Sequence, residues 1–91
     1  MKITIKDKEI ELKYTIRAML MFENIADKTF NAAGLTDVIT FMYCCVLSSS
    51  KDYSITFDEF IDYLDENPSV LNEFGDWVQD IVKTQNSFKK K

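Results

Sequence analysis

The segment running from Val38 to Leu47, VITFMYCCVL, constrains this chain more than any other. Wound into a helix, its apolar side chains point in nearly every direction, and a helix apolar all round is stable only when surrounded by other protein. Its ten residues, interrupted by Thr40, fall well short of the roughly 20 that cross a bilayer. It is therefore the central helix of a fold, or one that a partner completes. In a chain of 91 residues, 46% hydrophobic and 13% aromatic, the remainder suffices for one compact core but not for two. Two glycines and one proline leave little room for long linkers.

The other segments carry the patterns expected of covering elements. In the first fourteen residues apolar and charged residues alternate, as in a β-hairpin. A turn at Asp7-Lys8 pairs Lys6 with Glu9, Ile5 with Ile10, Thr4 with Glu11 and Ile3 with Leu12, which puts the apolar partners on one face. Thr15 caps a first helix running to about Asp27, with Ala18, Met19, Met21, Phe22, Ile25 and Ala26 facing the core. Ile16 and Leu20 fall on the opposite side, with Arg17, Glu23, Asn24 and Asp27. Residues 28–35 read as a loop, after which Thr36 caps the central helix and Asp37 suits its positive end. The polar run from Ser48 to Asp52 ends it.

Thr56-Phe57-Asp58-Glu59 has the spacing of a capping box at the start of a third helix. Phe57, Phe60, Ile61, Tyr63 and Leu64 line one side of that helix, and Asp58, Glu59, Asp62, Asp65 and Glu66 the other. Asn67-Pro68 then restarts the chain, as cap and first turn, into a last helix with Val70, Leu71, Phe74, Trp77, Val78, Ile81 and Val82 on its apolar face. The expected fold is α+β and mainly α, an N-terminal β-hairpin followed by a bundle of about four helices. Residues 1–86 form a single domain, and 87–91 are a frayed basic tail.

The side chains argue against chemistry. There is no His, which removes the commonest general base and the commonest neutral metal ligand. No GxGxxG, Walker-type loop or Cys-based zinc spacing is present. Asp62 with Asp65, or Asp58 with Asp62, would be the only candidate catalytic pairs, and they lie on the polar side of an amphipathic helix, where a solvated face accounts for them. DEFIDYLDEN lacks the glycine-centred calcium loop. Cys44 and Cys45 are neighbours that a disulfide would join only with severe distortion, so both are expected reduced and buried. The reading is a protein that is not an enzyme and needs no metal or cofactor. The N-terminus has no apolar run or cleavage site of a signal peptide, so the expected location is the cytoplasm, with no membrane contact.

Charge is uneven. From Asp52 to Val82 there are nine acids and no Lys or Arg, whereas the first seventeen residues carry five bases and three acids. An acidic side repels nucleic acid and draws basic partners.

The hairpin, YTIRAMLMFENIADKTFN, the helix TDVITFMYCCVL and SITFDEFIDYLDENPSVLNEF together resemble the tail assembly chaperones of long-tailed, siphovirus-type bacteriophages and prophages, over about residues 1–82. The resemblance implies a protein that binds the tape measure protein, keeps its apolar helices soluble, and leaves as tail tube subunits polymerise, so that it is absent from the mature virion. Members are often made in two forms by ribosomal frameshifting. Lys89-Lys90-Lys91, encodable by a run of adenines, is where such a slip would fall. The candidate contact residues are Ile16 and Leu20, with Phe41, Tyr43 and Leu47 of the overly apolar helix. Self-association into a homo-oligomer is also compatible with such broad apolar helices. The competing expectation is a small acidic inhibitor that imitates the phosphate pattern of DNA and blocks a host nucleic-acid-binding protein.

Overall fold

A computed structural model describes residues 1–29, 34–50 and 54–89, with side chains through residue 83 in the last helix. Its elements are β1 (Lys2–Ile5), β2 (Lys8–Glu11), α1 (Ile16–Ala26), α2 (Leu35–Ser49), α3 (Phe57–Glu66) and α4 (Pro68–Lys89). An antiparallel two-stranded hairpin followed by four helices is the α+β, mainly α arrangement that the sequence pattern predicts.

The hairpin register differs from the expected one by two residues. Lys2 lies opposite Glu11, Ile3 opposite Ile10, Thr4 opposite Glu9 and Ile5 opposite Lys8. The turn is Lys6-Asp7 rather than Asp7-Lys8, with φ of 48° and 68°. Two consecutive positive φ values match the twist of the flanking strands, as in a type I′ hairpin turn. Side chains alternate with period two, so a slip of two leaves the same residues inward. Ile3, Ile5, Ile10 and Leu12 are accordingly buried in either register. What the earlier turn changes is Lys6, which leaves the ladder and reaches Glu59 of α3.

Thr15 caps α1 as its spacing predicts, its hydroxyl accepting the N–H of Ala18 at 3.1 Å. Asp27 ends the helix in the left-handed conformation. Ala18 and Phe22 are buried and Met19, Met21 and Ala26 half-buried, but Ile25, expected in the core, is 52% exposed. It stands at the edge of the apolar arc, and the neighbouring elements do not reach round to cover it.

The central helix starts two residues earlier than a cap at Thr36 suggests. Gly34 occupies the capping position with φ 89°, its carbonyl accepts the N–H of Val38, and no side chain caps the helix. A residue with a Cβ is strained at that φ, so glycine decides where α2 begins. Lys28 at the end of α1 binds Asp37 in the first turn of α2 at 2.6 Å, tying the two helices together. Ser48 and Ser49, expected in the loop, belong to the last turn of α2, and the Ser49 hydroxyl accepts the N–H of Lys13 beside β2.

α2 is buried on most of its circumference: Thr40, Phe41, Met42, Cys44, Cys45 and Val46 are all inside. Its cover comes from α1, from β2 and from α4. Phe41 is the hub, with ring centroids 5.5 Å from Tyr14, 6.3 Å from Phe22 and 6.0 Å from Phe74. Such edge-on and tilted pairs add to the burial of the rings themselves.

The capping box of α3 forms in full: Thr56 and Glu59 satisfy each other's backbone N–H groups. Phe60 and Leu64 are buried, whereas Phe57 is largely at the surface against Tyr43. Asn67 joins the two helices, its side-chain amide donating to the carbonyl of Tyr63 at the end of α3 and its backbone carbonyl accepting the N–H of Val70 in α4; Pro68 stands in the first turn of α4 as expected. The backbone of α4 is helical through Lys89.

Two substitutions follow from this packing. Phe41→Ala is expected to lose about 3–5 kcal/mol of unfolding free energy, enough to unfold much of a small domain, as read by urea titration. Gly75 lies inside α4 with ordinary φ and nothing within 4 Å of where a Cβ would sit. Gly75→Ala is therefore expected to stabilise the fold by about 1 kcal/mol, seen as a raised urea midpoint.

Candidate functional site

The candidate contact residues separate into two groups. Ile16 is 73% and Leu20 57% exposed, one helical turn apart on the side of α1 that faces away from α2. Burying aliphatic side chains is favourable, and nothing among the described residues covers these two. Phe41, in contrast, is 0% exposed and lies at the centre of the core, which removes it as a surface contact. Tyr43 and Leu47 are half-buried. The Tyr43 hydroxyl donates to the carbonyl of Ile55 at 2.6 Å, and its ring packs on Phe57 and Phe60, so its visible role is to hold the segment entering α3. The apolar excess of α2 is thus used largely inside the domain. The structure brings Ile16 and Leu20 together and leaves Phe41, Tyr43 and Leu47 on another element, away from that pair.

Leu35, at the start of α2, is 65% exposed, a feature the sequence reading missed. Its position in the first turn, ahead of the continuous apolar run, is the signal that would have marked it. Arg17 is exposed beside Ile16 and Leu20, on the outward side of α1.

Of the surface depressions formed by the described residues, two bear on the elements above. One, of about 480 Å³, lies between the hairpin turn and α3, where Asp7, Glu59, Asp62 and Glu66 outnumber Lys6 and the ring of Tyr63 forms part of the wall. The other, of about 100 Å³, is an apolar recess between α2 and α4 formed by Val38, Phe41, Phe74, Gly75 and Val78. Eight of the nine acids between residues 52 and 82 fall on described residues, in α3 and α4, and all eight are exposed. The amphipathic spacing of both helices places them there.

The two thiols are poorly suited to reaction. Burial pushes Cys44 up to about 11 and Cys45 up to about 12, the latter also by its neighbour's charge. A thiol that resists ionisation is a weak nucleophile. Among the described residues no group of three His, Cys, Asp or Glu is placed to hold a metal ion, and no helix is long and apolar enough to cross a membrane.

Glu59 is the most perturbed carboxyl. It accepts the N–H of Thr56, then Lys6 Nζ at 3.0 Å and the Thr56 hydroxyl, and these hold it down at about 2. A folded value below the ordinary 4.5 means the charged form favours the fold. That contribution is complete above about pH 4.5 and is lost as pH falls toward 2. The urea midpoint is expected to decline across this window. In Glu59→Gln it should start lower at neutral pH and decline less, with a residual slope from Glu11, whose carboxylate is held down by the Met1 ammonium. Equal slopes in the two proteins would assign the dependence to other carboxylates.

The chain matches no protein-family model, no curated protein and no solved structure.

Proposed function

We propose that the chain is a phage tail assembly chaperone that binds the tape measure protein and keeps it soluble until the tail tube polymerises. The observation that supports the reading is the pair Ile16 and Leu20, aliphatic side chains held outward by a helix whose other side is already packed. Covering each is worth about 1.5–3 kcal/mol at full burial, a gain suited to a reversible complex. The acids of α3 and α4 give the complex a repulsive charged exterior, which opposes aggregation of a client rich in apolar helix. On this reading the protein works in the host cytoplasm, exchanges its client for tail tube subunits, and has no place in the mature virion.

The test is co-expression with the tape measure protein encoded beside it. The client is expected to become soluble and to co-purify, and Leu20→Asp to reduce co-purification while leaving the domain folded by circular dichroism. A client that stays insoluble with the wild-type chain contradicts the proposal. Undiminished binding by Leu20→Asp clears that residue of the role.

A second reading has its own observation, the eight exposed carboxylates of α3 and α4. Spread over an outer surface, they suit a mimic of nucleic-acid phosphates that inhibits a basic host protein. Asp62→Lys with Asp65→Lys would abolish such inhibition, whereas client solubility would survive the pair.

A further inference from the structure

We infer that an extended, basic segment of a partner protein adds as a third strand to the outer edge of β1, in the depression between that edge and α3. The inference goes beyond the chaperone reading and does not depend on it, since it assigns a surface on other elements than Ile16 and Leu20.

The backbone supplies the first half of the site. The hairpin is the whole sheet, so β1 is paired on one side only. Ile5 and Lys8 close a two-residue turn, and the N–H of Leu12 donates to the carbonyl of Met1 at 2.7 Å. In an antiparallel ladder these pairs direct the backbone groups of Met1, Ile3 and Ile5 toward β2, and those of Lys2 and Thr4 the other way. No hydrogen bond among the described residues meets the outward N–H and C=O groups of Lys2 and Thr4. An open strand edge of this kind is a template for another strand.

The depression beside that edge supplies the second half. It extends from the ion pair of Lys6 with Glu59, past Thr4, to Glu66 and Asn67, and has a volume of about 480 Å³. Its far wall is one face of α3, where Glu59, Asp62, Tyr63 and Glu66 follow the i, i+3, i+4, i+7 spacing. Asp7, Asp62 and Glu66 have no ionic partner among the described residues. Lys6, the one cation in the lining, is already on Glu59. The other cations of β1 lean toward β2, the Met1 ammonium onto Glu11 at 3.0 Å and Lys2 to within 3.9 Å of Glu9. The last turn of α3 has no base to offset the negative end of the helix beside Glu66. Tyr63, stacked on Phe60 with ring centroids 6.3 Å apart, lends the wall an aromatic ring on which an ammonium or guanidinium can rest. The open edge therefore selects an extended backbone, and the carboxylates select Lys or Arg along it.

The probe is a synthetic peptide of about eight residues in which Lys alternates with Thr, and binding to the full chain is read by fluorescence anisotropy. Two copies serve as controls, one with Glu in place of Lys and one N-methylated at two adjacent central residues, which blocks strand pairing on both of its edges. The Lys peptide is expected to bind and to slow hydrogen exchange at the Lys2 and Thr4 amides, whereas neither control should bind as well. Asp62→Lys with Glu66→Lys should weaken it about tenfold, less so at high salt, and Leu20→Asp should leave it unchanged. Asp62 and Glu66 are exposed, and unchanged circular dichroism establishes that the double variant is folded. Failure of the Lys peptide to bind, or undiminished binding by the double variant, overturns the inference. Equal binding of the N-methylated copy, or unaltered exchange at Lys2 and Thr4, also overturns it, because the attraction would then be of charge alone.

Discussion

Enclosure of α2 is the constraint from which the rest of the structure follows. A helix with Phe41, Met42, Cys44, Cys45 and Val46 all inside has little side to give to water, only the half-buried stripe of Ile39, Tyr43 and Leu47, so the other elements are disposed around it. α1 covers one flank, tied at its end by Lys28 and Asp37; β2 and the Lys13 N–H approach the last turn; α4 closes the remaining side through Phe74 and Trp77. The contacts of Phe41 with Tyr14, Phe22 and Phe74 join three of these covers through one ring. α3 is held at greater remove, by Phe60, by the Tyr43 hydroxyl on Ile55 and by the reach of Lys6 to Glu59.

The order and type of these elements were legible because each is announced by local chemistry. Thr15 and the Thr56-Glu59 pair cap the helices their spacing indicates, and Pro68 opens the last one. What was not legible is what local pattern leaves degenerate. Alternation fixes which hairpin residues point inward but is indifferent to a slip of two, and only turn geometry at Lys6 and Asp7 decides. Thr36 and Gly34 are both acceptable helix starts, and the backbone favours the residue without a Cβ. Ile25 lies at the margin of an apolar arc, where its exposure depends on how far neighbours extend rather than on its own helix.

The same distinction applies to the contact surface. Ile16 and Leu20 sit opposite the packed side of α1, so helical periodicity alone places them outward. Phe41, Tyr43 and Leu47 belong to a helix with no polar side, and periodicity cannot separate a helix enclosed by its own chain from one completed by a partner. Only the positions of the covering elements do that, and they enclose Phe41 completely. Arg17 illustrates a third case: its exposure follows from the helix, but its lack of an ionic partner among the described residues depends on where every acid of the fold ends up.

The adjacent thiols of α2 give the molecule an internal timer. Both sulfurs are shut away and resist ionisation, so an alkylating reagent at neutral pH finds nothing to attack on the native surface. Modification therefore registers only those excursions in which the central helix is laid bare, and its rate measures how often the scaffold loosens. Any event that braces or pries apart the bundle, including occupation of a distant face, becomes visible as a slower or faster loss of free sulfhydryl.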